Sequence, residues 1–307
     1  MKNSNLKGSL ILVTAALIWG LAFVVQSGVA DLIPPFTFNA LRSVVGAAAL
    51  YIFWLKKKKR KTNTFFPKEK PLRKNYYLGA VICGVCLAIS INFQQFGIAA
   101  YPEGAASEAR SGFITALYVI LVPIFSLILK KKVGLPVWAG VAIAVVGVYL
   151  LCFSGGVSGI YLGDFLVFLC AVSFSLHIMS VDKYVSYTGG VKLSIMQFSV
   201  AAVISFVLAF VFEWNQIEIS DILSAVPQIL YMGVMSSGVA YTLQIVGQKY
   251  AEPTVASISM SLESVFAALG GWVISGNVLH TRELIGCILV FAAIVVAQLP
   301  GRKPSLN

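Results

Sequence analysis

Residues 9–29 read SLILVTAALIWGLAFVVQSGV, a run of 21 residues without a charged side chain. At 1.5 Å per residue, a helix of this length crosses the ~30 Å hydrocarbon core of a bilayer. The whole chain has the same character, since 58% of its 307 residues are hydrophobic and only 11% are charged. A water-soluble globule of this composition would lack a polar surface. The chain is therefore predicted to be an all-α integral membrane protein.

Apolar runs of membrane-crossing length occur ten times along the chain. In lipid the backbone must satisfy its hydrogen bonds internally, and long uninterrupted runs favour helices over the short alternating segments of a barrel. The ten predicted transmembrane helices are residues 9–29, 36–55, 77–99, 105–129, 133–153, 162–181, 191–212, 225–247, 253–275 and 284–299.

The charges between these spans separate by sign. With both termini in the cytoplasm, 20 of the 23 Lys and Arg residues fall on the inner side, ten of them between Lys56 and Lys74. The outer segments hold mostly acids, namely Asp31, Glu103, Asp164, Glu213, Glu218, Asp221 and Glu283. This positive-inside pattern predicts a cell-membrane protein with both termini cytoplasmic. It also accounts for the net charge of +11 without a nucleic-acid partner, because a basic run directly after a span touches anionic lipid.

The two halves of the chain resemble each other. Residues 94–97 (QQFG) match residues 244–247 (QIVG). Residues 112–119 (GFITALYV) align with residues 257–264 (SISMSLES) at an offset of 145 positions. The order and spacing of the two matches indicate an internal repeat.

We therefore predict two five-helix repeats, residues 1–153, with a basic cytoplasmic loop at 56–76, and residues 154–307. Because each repeat has an odd number of spans, the second enters the membrane from the side opposite to the first. Such inverted repeats are typical of secondary transporters, whose substrate site lies near the midplane between the halves. Two equivalent packings of the halves would open that site to either face.

Several short motifs carry a family resemblance. They are residues 18–23 (IWGLAF), 35–42 (PFTFNALR), 252–256 (EPTVA), 261–268 (SLESVFAA) and the closing segment 271–298. In these motifs the chain resembles the drug/metabolite transporter superfamily, specifically the EamA-type transporters. The resemblance extends over essentially the whole sequence.

This resemblance implies a ten-helix inner-membrane carrier, usually an exporter of amino acids, other small metabolites or toxic compounds. It also implies a central cavity lined by the first, third, fourth, sixth, eighth and ninth helices. The expected partners are a small-molecule substrate, the lipid bilayer and a coupling proton. The sequence leaves open a monomer or a homodimer.

Glu263 is the first candidate for binding substrate. It lies eleven residues after Glu252, so it is about 16 Å along the ninth span and near the midplane. An ionisable group at that depth costs several kcal/mol unless it is paired or hydrated. Its carboxylate could bind a substrate ammonium group or carry the coupling proton. Alternatively it is a structural group hydrogen-bonded between helices, with Ser259 one turn back as a candidate partner.

Two arginines also lie inside predicted spans. Arg110 is a turn or two into the fourth span, and Arg42 is about 9 Å into the second. An arginine that faces a cavity holds a carboxylate in a bidentate pair, whereas one that faces a neighbouring helix bonds its carbonyls or extends outward. We expect Arg110 to face the cavity. Arg42 is expected to be a structural anchor, because the second helix is peripheral in the family that the chain resembles.

Aromatic and amide side chains complete the predicted site, since pockets are largely apolar with a few directional polar groups. The predicted substrate-binding residues are Trp19, Asn92, Arg110, Tyr118, Tyr241 and Glu263, and the predicted gate or secondary residues are Gln94, His177 and Gln244. The same residue types also form interfacial belts and hydrogen bonds between helices. For His177, a packed and hydrogen-bonded ring is favoured over a proton relay.

Other chemistries find no support in the sequence. Motifs of the GxxxxGK, HExxH and GxSxG types do not occur, so this chain by itself is not an ATP-driven pump. Cys83 and Cys86 form a CxxC without a second pair of ligands, and we expect no metal and no cofactor. We expect no enzyme activity. Two alternatives to a metabolite carrier remain: a proton-coupled exporter of cationic compounds that uses Glu263, and a membrane-embedded enzyme or scaffold.

Overall fold

The computed structural model describes residues 2–59, 73–102, 107–152, 160–275 and 280–299. Within these residues the secondary structure is helical and contains no strand. Most of the predicted basic loop and the predicted boundary between the repeats lie outside them. The α-helices are α1 Lys2–Ala30, α2 Pro35–Lys59, α3 Arg73–Ala99, α4 Ser107–Ala116, α5 Tyr118–Ile128, α6 Leu135–Cys152, α7 Leu162–Thr188, α8 Gly190–Phe212, α9 Ile219–Ser224, α10 Val226–Leu230, α11 Tyr241–Gly247, α12 Pro253–Met260, α13 Leu262–Ser275 and α14 Thr281–Ala297.

Seven helical stretches among the described residues are long and apolar enough to cross a membrane. They are Leu6–Ala30, Pro35–Lys56, Asn75–Ala99, Arg110–Ile128, Leu162–Thr188, Gly190–Phe212 and Val226–Gly247. Apolar side chains cover the outward faces of such helices; on α8, Phe206 is 45% exposed and Phe210 is 65% exposed. A surface of this kind is suited to lipid rather than water. The chain is a multi-pass membrane protein.

The three remaining predicted spans fall on shorter helices. Residues 133–153 correspond to α6, whose apolar core runs over Leu135–Leu150, and residues 284–299 correspond to α14, which has 17 residues. Residues 253–275 are divided between α12 and α13. None of the three is among the seven stretches above.

Two of the predicted continuous spans are in fact broken near their centres. The fourth is interrupted at Leu117, between α4 and α5, and the ninth at Ser261, between α12 and α13. At each break an amide bonds to the carbonyl three residues earlier, from Leu117 to Ile114 at 3.1 Å and from Ser264 to Ser261 at 3.2 Å. Such tightened turns re-aim a helix without leaving its backbone unpaired. A third irregularity is the π-helical stretch Tyr231–Ala240, which joins α10 to α11.

The helices pack in long side-by-side pairs: α3 with α7, α6 with α14, α2 with α8, and α1 with α13. Glycines permit the closest approaches, as membrane helices generally require. Where α3 meets α7, a methyl group on Gly97 would lie 2.5 Å from Cγ2 of Val167. Where α1 meets α11, a methyl group on Gly247 would lie 2.7 Å from Cγ of Leu12.

The bundle has two distinct ends. At the terminal end, which holds the start of α1 and the end of α14, Ser259 donates a hydrogen bond to Ser9 at 3.0 Å. At the distal end, which holds the turn from α1 to α2, the carboxylate of Glu213 accepts hydrogen bonds from the amides of Phe36 and Thr37 at 2.8 and 2.7 Å. This carboxylate satisfies free N–H groups at the start of α2, where the helix dipole favours negative charge.

Candidate functional site

A narrow cavity lies in the middle of the bundle. It is bounded by α1, α2, α3, both parts of the broken fourth span, α7, the π-helical stretch, α11 and α12. Its lining residues are Trp19, Ala22, Phe23, Gln26, Arg42, Gln94, Thr115, Tyr118, Phe174, Ile178, Ser236, Tyr241, Gln244 and Met260. The cavity combines aromatic and aliphatic walls with a few polar groups, as small-molecule sites do.

Glu263 lies directly behind this wall. Its side chain is 5% exposed, and the Tyr118 hydroxyl donates a hydrogen bond to its Oε1 at 2.9 Å. Tyr118 belongs to the cavity lining and Glu263 does not. Ser259, the partner suggested by the sequence, is instead hydrogen-bonded to the Val255 carbonyl and to the Ser9 hydroxyl. That expectation was wrong because packing brings α5 against the break between α12 and α13.

The positions of the two arginines are the reverse of those expected. Arg42 lines the cavity, with only 3% of the residue exposed. Arg110 is not part of the lining; its Nε and Nη2 bond the two carboxylate oxygens of Asp164 at 3.0 and 2.5 Å. The expectation that Arg110 faces the cavity is therefore corrected. Asp164, on the first turn of α7, supplies the bidentate partner that a substrate carboxylate was expected to provide.

The Arg110–Asp164 pair forms part of a polar cluster at the distal end. The Tyr101 hydroxyl donates to Oδ1 of Asp164 at 2.9 Å, and the Arg110 guanidinium lies 4.7 Å from the centre of the Tyr161 ring. Burial, reinforced by the hydrogen bond to Asp164, raises the pKa of Tyr101 above its ordinary value, so this phenol remains a donor at neutral pH. The cluster joins α4 to the start of α7.

Asn92 lies outside the central cavity. It lines an apolar groove between α2, α3, α7 and α8. Its Oδ1 accepts a hydrogen bond from Asn39 at 2.9 Å, and its Nδ2 donates to Ser205 at 3.0 Å. The Asn92 side chain therefore forms hydrogen bonds between helices and does not face the central cavity, contrary to its predicted role in substrate binding.

The predicted secondary residues divide between the cavity and the packing around it. Gln94 and Gln244 line the cavity, and Gln94 Nε2 donates to Thr115 at 3.3 Å. His177 is fully buried, with its Nε2 3.0 Å from Oε1 of Gln197, as expected of a packed histidine.

Trp19 and Tyr241, both predicted to bind substrate, line the cavity and are in contact. Their ring centroids lie 4.8 Å apart in an edge-to-face arrangement. Phe174, which was not among the predicted residues, stacks on Tyr241 at 6.4 Å. A signal that could have found it is its position in the predicted sixth span, one of the helices that the family resemblance places at the cavity.

Comparison with known proteins agrees with these features. The model of the EamA-like transporter family matches residues 6–153 and again residues 161–298. An "Uncharacterized transporter" of Archaeoglobus fulgidus is 28% identical over 96% of this chain and 87% of its own length. The "Uncharacterized inner membrane transporter YedA" of Escherichia coli (strain K12) is 23% identical over 91% of this chain and 87% of its own.

Similarity in fold extends to solved structures. One crystal structure, titled only "Crystal structure of protein", superposes with a TM-score of 0.73 over 94% of this chain and 96% of the other, at 19% sequence identity. At that identity the likeness concerns the fold alone. The two family matches cover nearly the full sequence, as the motifs in residues 18–23 and 261–268 had indicated. The chain belongs to the EamA-like transporter family.

Proposed function

We propose that the protein is a secondary-active transporter that moves small metabolites or amino-acid-like solutes, in the export direction, by alternating access. It does so with ten membrane-spanning helices arranged as two inverted repeats, residues 1–153 and 154–307. The observation that carries the proposal is the hydrogen bond between Tyr118 and Glu263 beside the central cavity. These residues are 145 positions apart, the offset at which the fourth and ninth spans align in sequence. Equivalent positions of two repeats touch in this way when a pseudo-two-fold axis passes between them.

Helix contacts support the same symmetry. Gly97 packs against Val167 between α3 and α7, and Gly247 packs against Leu12 between α11 and α1. Gly247 follows Gly97 by 150 positions, and Val167 follows Leu12 by 155. The contact between the third and sixth spans thus recurs between the eighth and first.

A polar contact repeats in the same manner. Asn39 donates to Asn92 at 2.9 Å, and Thr242 donates to Ser194 at 3.0 Å. The second pair lies 155 and 150 positions beyond the first. A polar contact between the second and third spans therefore has a counterpart between the seventh and eighth.

The cavity itself is built from related positions. Four pairs of its lining residues stand at these same offsets: Trp19 and Phe174, Phe23 and Ile178, Gln94 and Gln244, and Thr115 and Met260. A cavity on the axis between two inverted halves is reached from either membrane face by exchanging the packing of the halves. This is the geometric requirement for alternating access.

Glu263 is proposed as the site of the coupling proton, because a carboxyl group held by one phenol at midplane depth is a poor permanent charge. The charge pattern of the loops supports a cell-membrane location with both termini in the cytoplasm. A proton-coupled exporter of cationic compounds is the second candidate, favoured by this buried acid. The placement of Arg42 on the cavity wall argues against it, since a guanidinium repels lipophilic cations.

Crosslinking one end of the bundle at a time tests alternating access. The hydroxyls of Ser27 and Ser107 lie 3.5 Å apart at the distal end, and those of Ser9 and Ser259 lie 3.0 Å apart at the terminal end. Each pair is changed to cysteine in a chain freed of its five native cysteines, and flux of a radiolabelled amino-acid and organic-acid panel is measured in proteoliposomes. Either disulfide alone is expected to stop flux, and reductant to restore it. Single-cysteine variants serve as controls.

Continued flux through fully crosslinked protein would contradict alternating access. Absence of flux for every solute before crosslinking would contradict the proposed transport activity itself.

A further inference from the structure

Arg42 is a buried cation in the centre of the bundle and has no acidic partner among the described residues. It stands seven residues after Pro35, the first residue of α2, which places it about 10 Å along that helix. Only 3% of the residue is exposed, and its Nε has no hydrogen-bond partner among the described residues. The guanidinium lies 5.5 Å from the centre of the Phe38 ring.

The two acids that are buried among the described residues, Glu213 and Glu263, are hydrogen-bonded elsewhere. Within the described part of the chain the ion pairs are Arg110–Asp164 and Lys131–Asp182, and neither includes Arg42. Glu263 lies behind the Tyr118 hydroxyl and outside the cavity lining. A buried charge is costly unless it is paired, and arginine within a membrane span marks a ligand or ion pathway more often than a structural anchor.

The cavity in front of Arg42 presents further unmatched groups. Nε1 of Trp19 and Oε1 of Gln244 are buried and have no hydrogen-bond partner among the described residues. Both residues line the same cavity as Arg42. Among the described lining residues, Arg42 is the sole one with a formal charge. The site therefore offers a net positive charge, two kinds of unmatched N–H donor, one unmatched amide oxygen, and aromatic walls from Trp19, Phe174 and Tyr241.

We propose that this cavity binds a monocarboxylate with an apolar or aromatic body, and that its carboxylate pairs with the Arg42 guanidinium. A guanidinium matches a carboxylate with two parallel N–H···O bonds, and the rings accommodate the apolar body. The inference narrows the substrate class of the proposed transporter and rests on that function only for the movement of the ligand. Of the solutes proposed above it favours organic acids over amino acids, and it disfavours cations, because no carboxylate lines the described cavity to receive an ammonium group.

The position that corresponds to Arg42 in the second half of the chain is uncharged. Gln197 stands 155 positions after Arg42, at the corresponding place in the seventh span, and its amide bonds His177 at 3.0 Å. The second half thus holds a neutral amide, whose Oε1 is bonded to His177, where the first half holds a buried cation. The carboxylate is accordingly bound on the side of the cavity formed by α2.

Three probes of one size but different charge test the proposal: phenylacetate, phenylacetamide and 2-phenylethylammonium. Their affinities are measured by isothermal titration with the purified full-length protein in lipid nanodiscs. Phenylacetate is expected to bind at least ten-fold more tightly than the other two. Arg42→Gln should remove this preference, and Arg42→Lys should retain part of it. Arg282→Gln, which removes a cation outside the cavity lining, should change nothing.

Equal affinities for the three probes, or tight binding of phenylacetate that survives Arg42→Gln in folded protein, would overturn the proposal. So would failure of both phenylacetate and the larger indole-3-acetate to bind the unaltered protein. Because the three probes are also compared on the unaltered protein, the test remains decisive even if Arg42→Gln fails to fold. Flux measurements distinguish the carboxylate site from the transport function. If binding depends on Arg42 but no flux is seen, the transport function is contradicted and the site is not. If cations are transported and Arg42 variants have no effect, the site is contradicted and the transport function is not.

Discussion

At the scale of single residues, the Tyr118 hydroxyl decides the environment of Glu263. A carboxyl group that is 5% exposed near the centre of a membrane protein requires a donor. The donor comes from the other half of the chain, 145 positions away. A substitution of Tyr118 therefore also alters a contact between the two halves of the chain.

Tyr118→Phe removes this donor and leaves the carboxyl group buried without it. We expect the free energy of unfolding to fall by about 1–3 kcal/mol, the cost of an unsatisfied buried polar group. The measurement is chemical unfolding in detergent micelles. Tyr241→Phe is the matched control, since its hydroxyl makes no hydrogen bond within the described residues while its ring also lines the cavity. Equal losses for the two variants would show that the hydrogen bond contributes nothing.

At the scale of helices, ion pairs at the two ends of the bundle differ in burial. The side chains of Arg110 and Asp164 are 7% and 13% exposed, whereas those of Lys131 and Asp182 are 49% and 25% exposed. The first pair joins α4 to the start of α7, and the second joins the end of α5 to the end of α7. Solvent screens the second pair much more than the first.

Asp164→Asn breaks the buried pair and leaves the Arg110 charge uncompensated. The expected loss of stability is about 3–5 kcal/mol. Asp182→Asn is the matched substitution at the exposed pair, with an expected loss of at most about 1 kcal/mol. Thermal unfolding in detergent measures the loss of stability in both variants. A larger loss for Asp182→Asn than for Asp164→Asn would contradict the prediction.

Glycine contacts provide a second test of helix packing. A methyl group on Gly163 of α7 would lie 2.7 Å from the Gly97 carbonyl oxygen of α3, so Gly163→Ala must push these helices apart. We expect a loss of about 1–3 kcal/mol in unfolding free energy. Gly112→Ala in α4 is the control, because its added methyl group meets no atom within 4 Å. There the gain in helix propensity should leave stability equal or raised by up to about 1 kcal/mol. Indistinguishable unfolding curves would contradict the packing argument.

At the scale of the whole molecule, the described helices place the acidic and basic connections at opposite ends. Ser220 lies in an exposed segment at the distal end, next to Glu218 and Asp221. Lys132 lies in an exposed turn after α5, close to the Lys131–Asp182 pair of the terminal end. The orientation that follows from the positive-inside rule puts the distal end outside the cell.

Single cysteines at these two positions test that orientation, in a chain freed of its native cysteines. Ser220→Cys should react with a membrane-impermeant maleimide in intact cells, and Lys132→Cys only after permeabilisation. Gel-shift labelling reads out both. The reverse pattern would place the termini outside.

Local sequence features were enough to indicate a multi-pass helical membrane protein whose two halves carry similar motifs. Hydropathy and charge act locally: a run such as residues 9–29 is apolar whatever packs against it, and the loop charges respond to the membrane alone. The family resemblance rested on motifs of the same local kind. The breaks at Leu117 and Ser261 escaped prediction because no proline or glycine stands there; Pro123 lies inside α5 rather than at the interruption.

Which polar groups are in contact follows from the packing of the folded bundle. Arg110 and Asp164 are 54 positions apart, and no spacing rule within one helix reveals that their two helices bring them into a bidentate pair. Without that pair, Arg110 was the better candidate for the cavity, and Arg42 the anchor. The rotation of each helix about its axis is determined by packing against partners remote in sequence, so the face that Arg42 presents to the cavity exists only once the bundle is assembled.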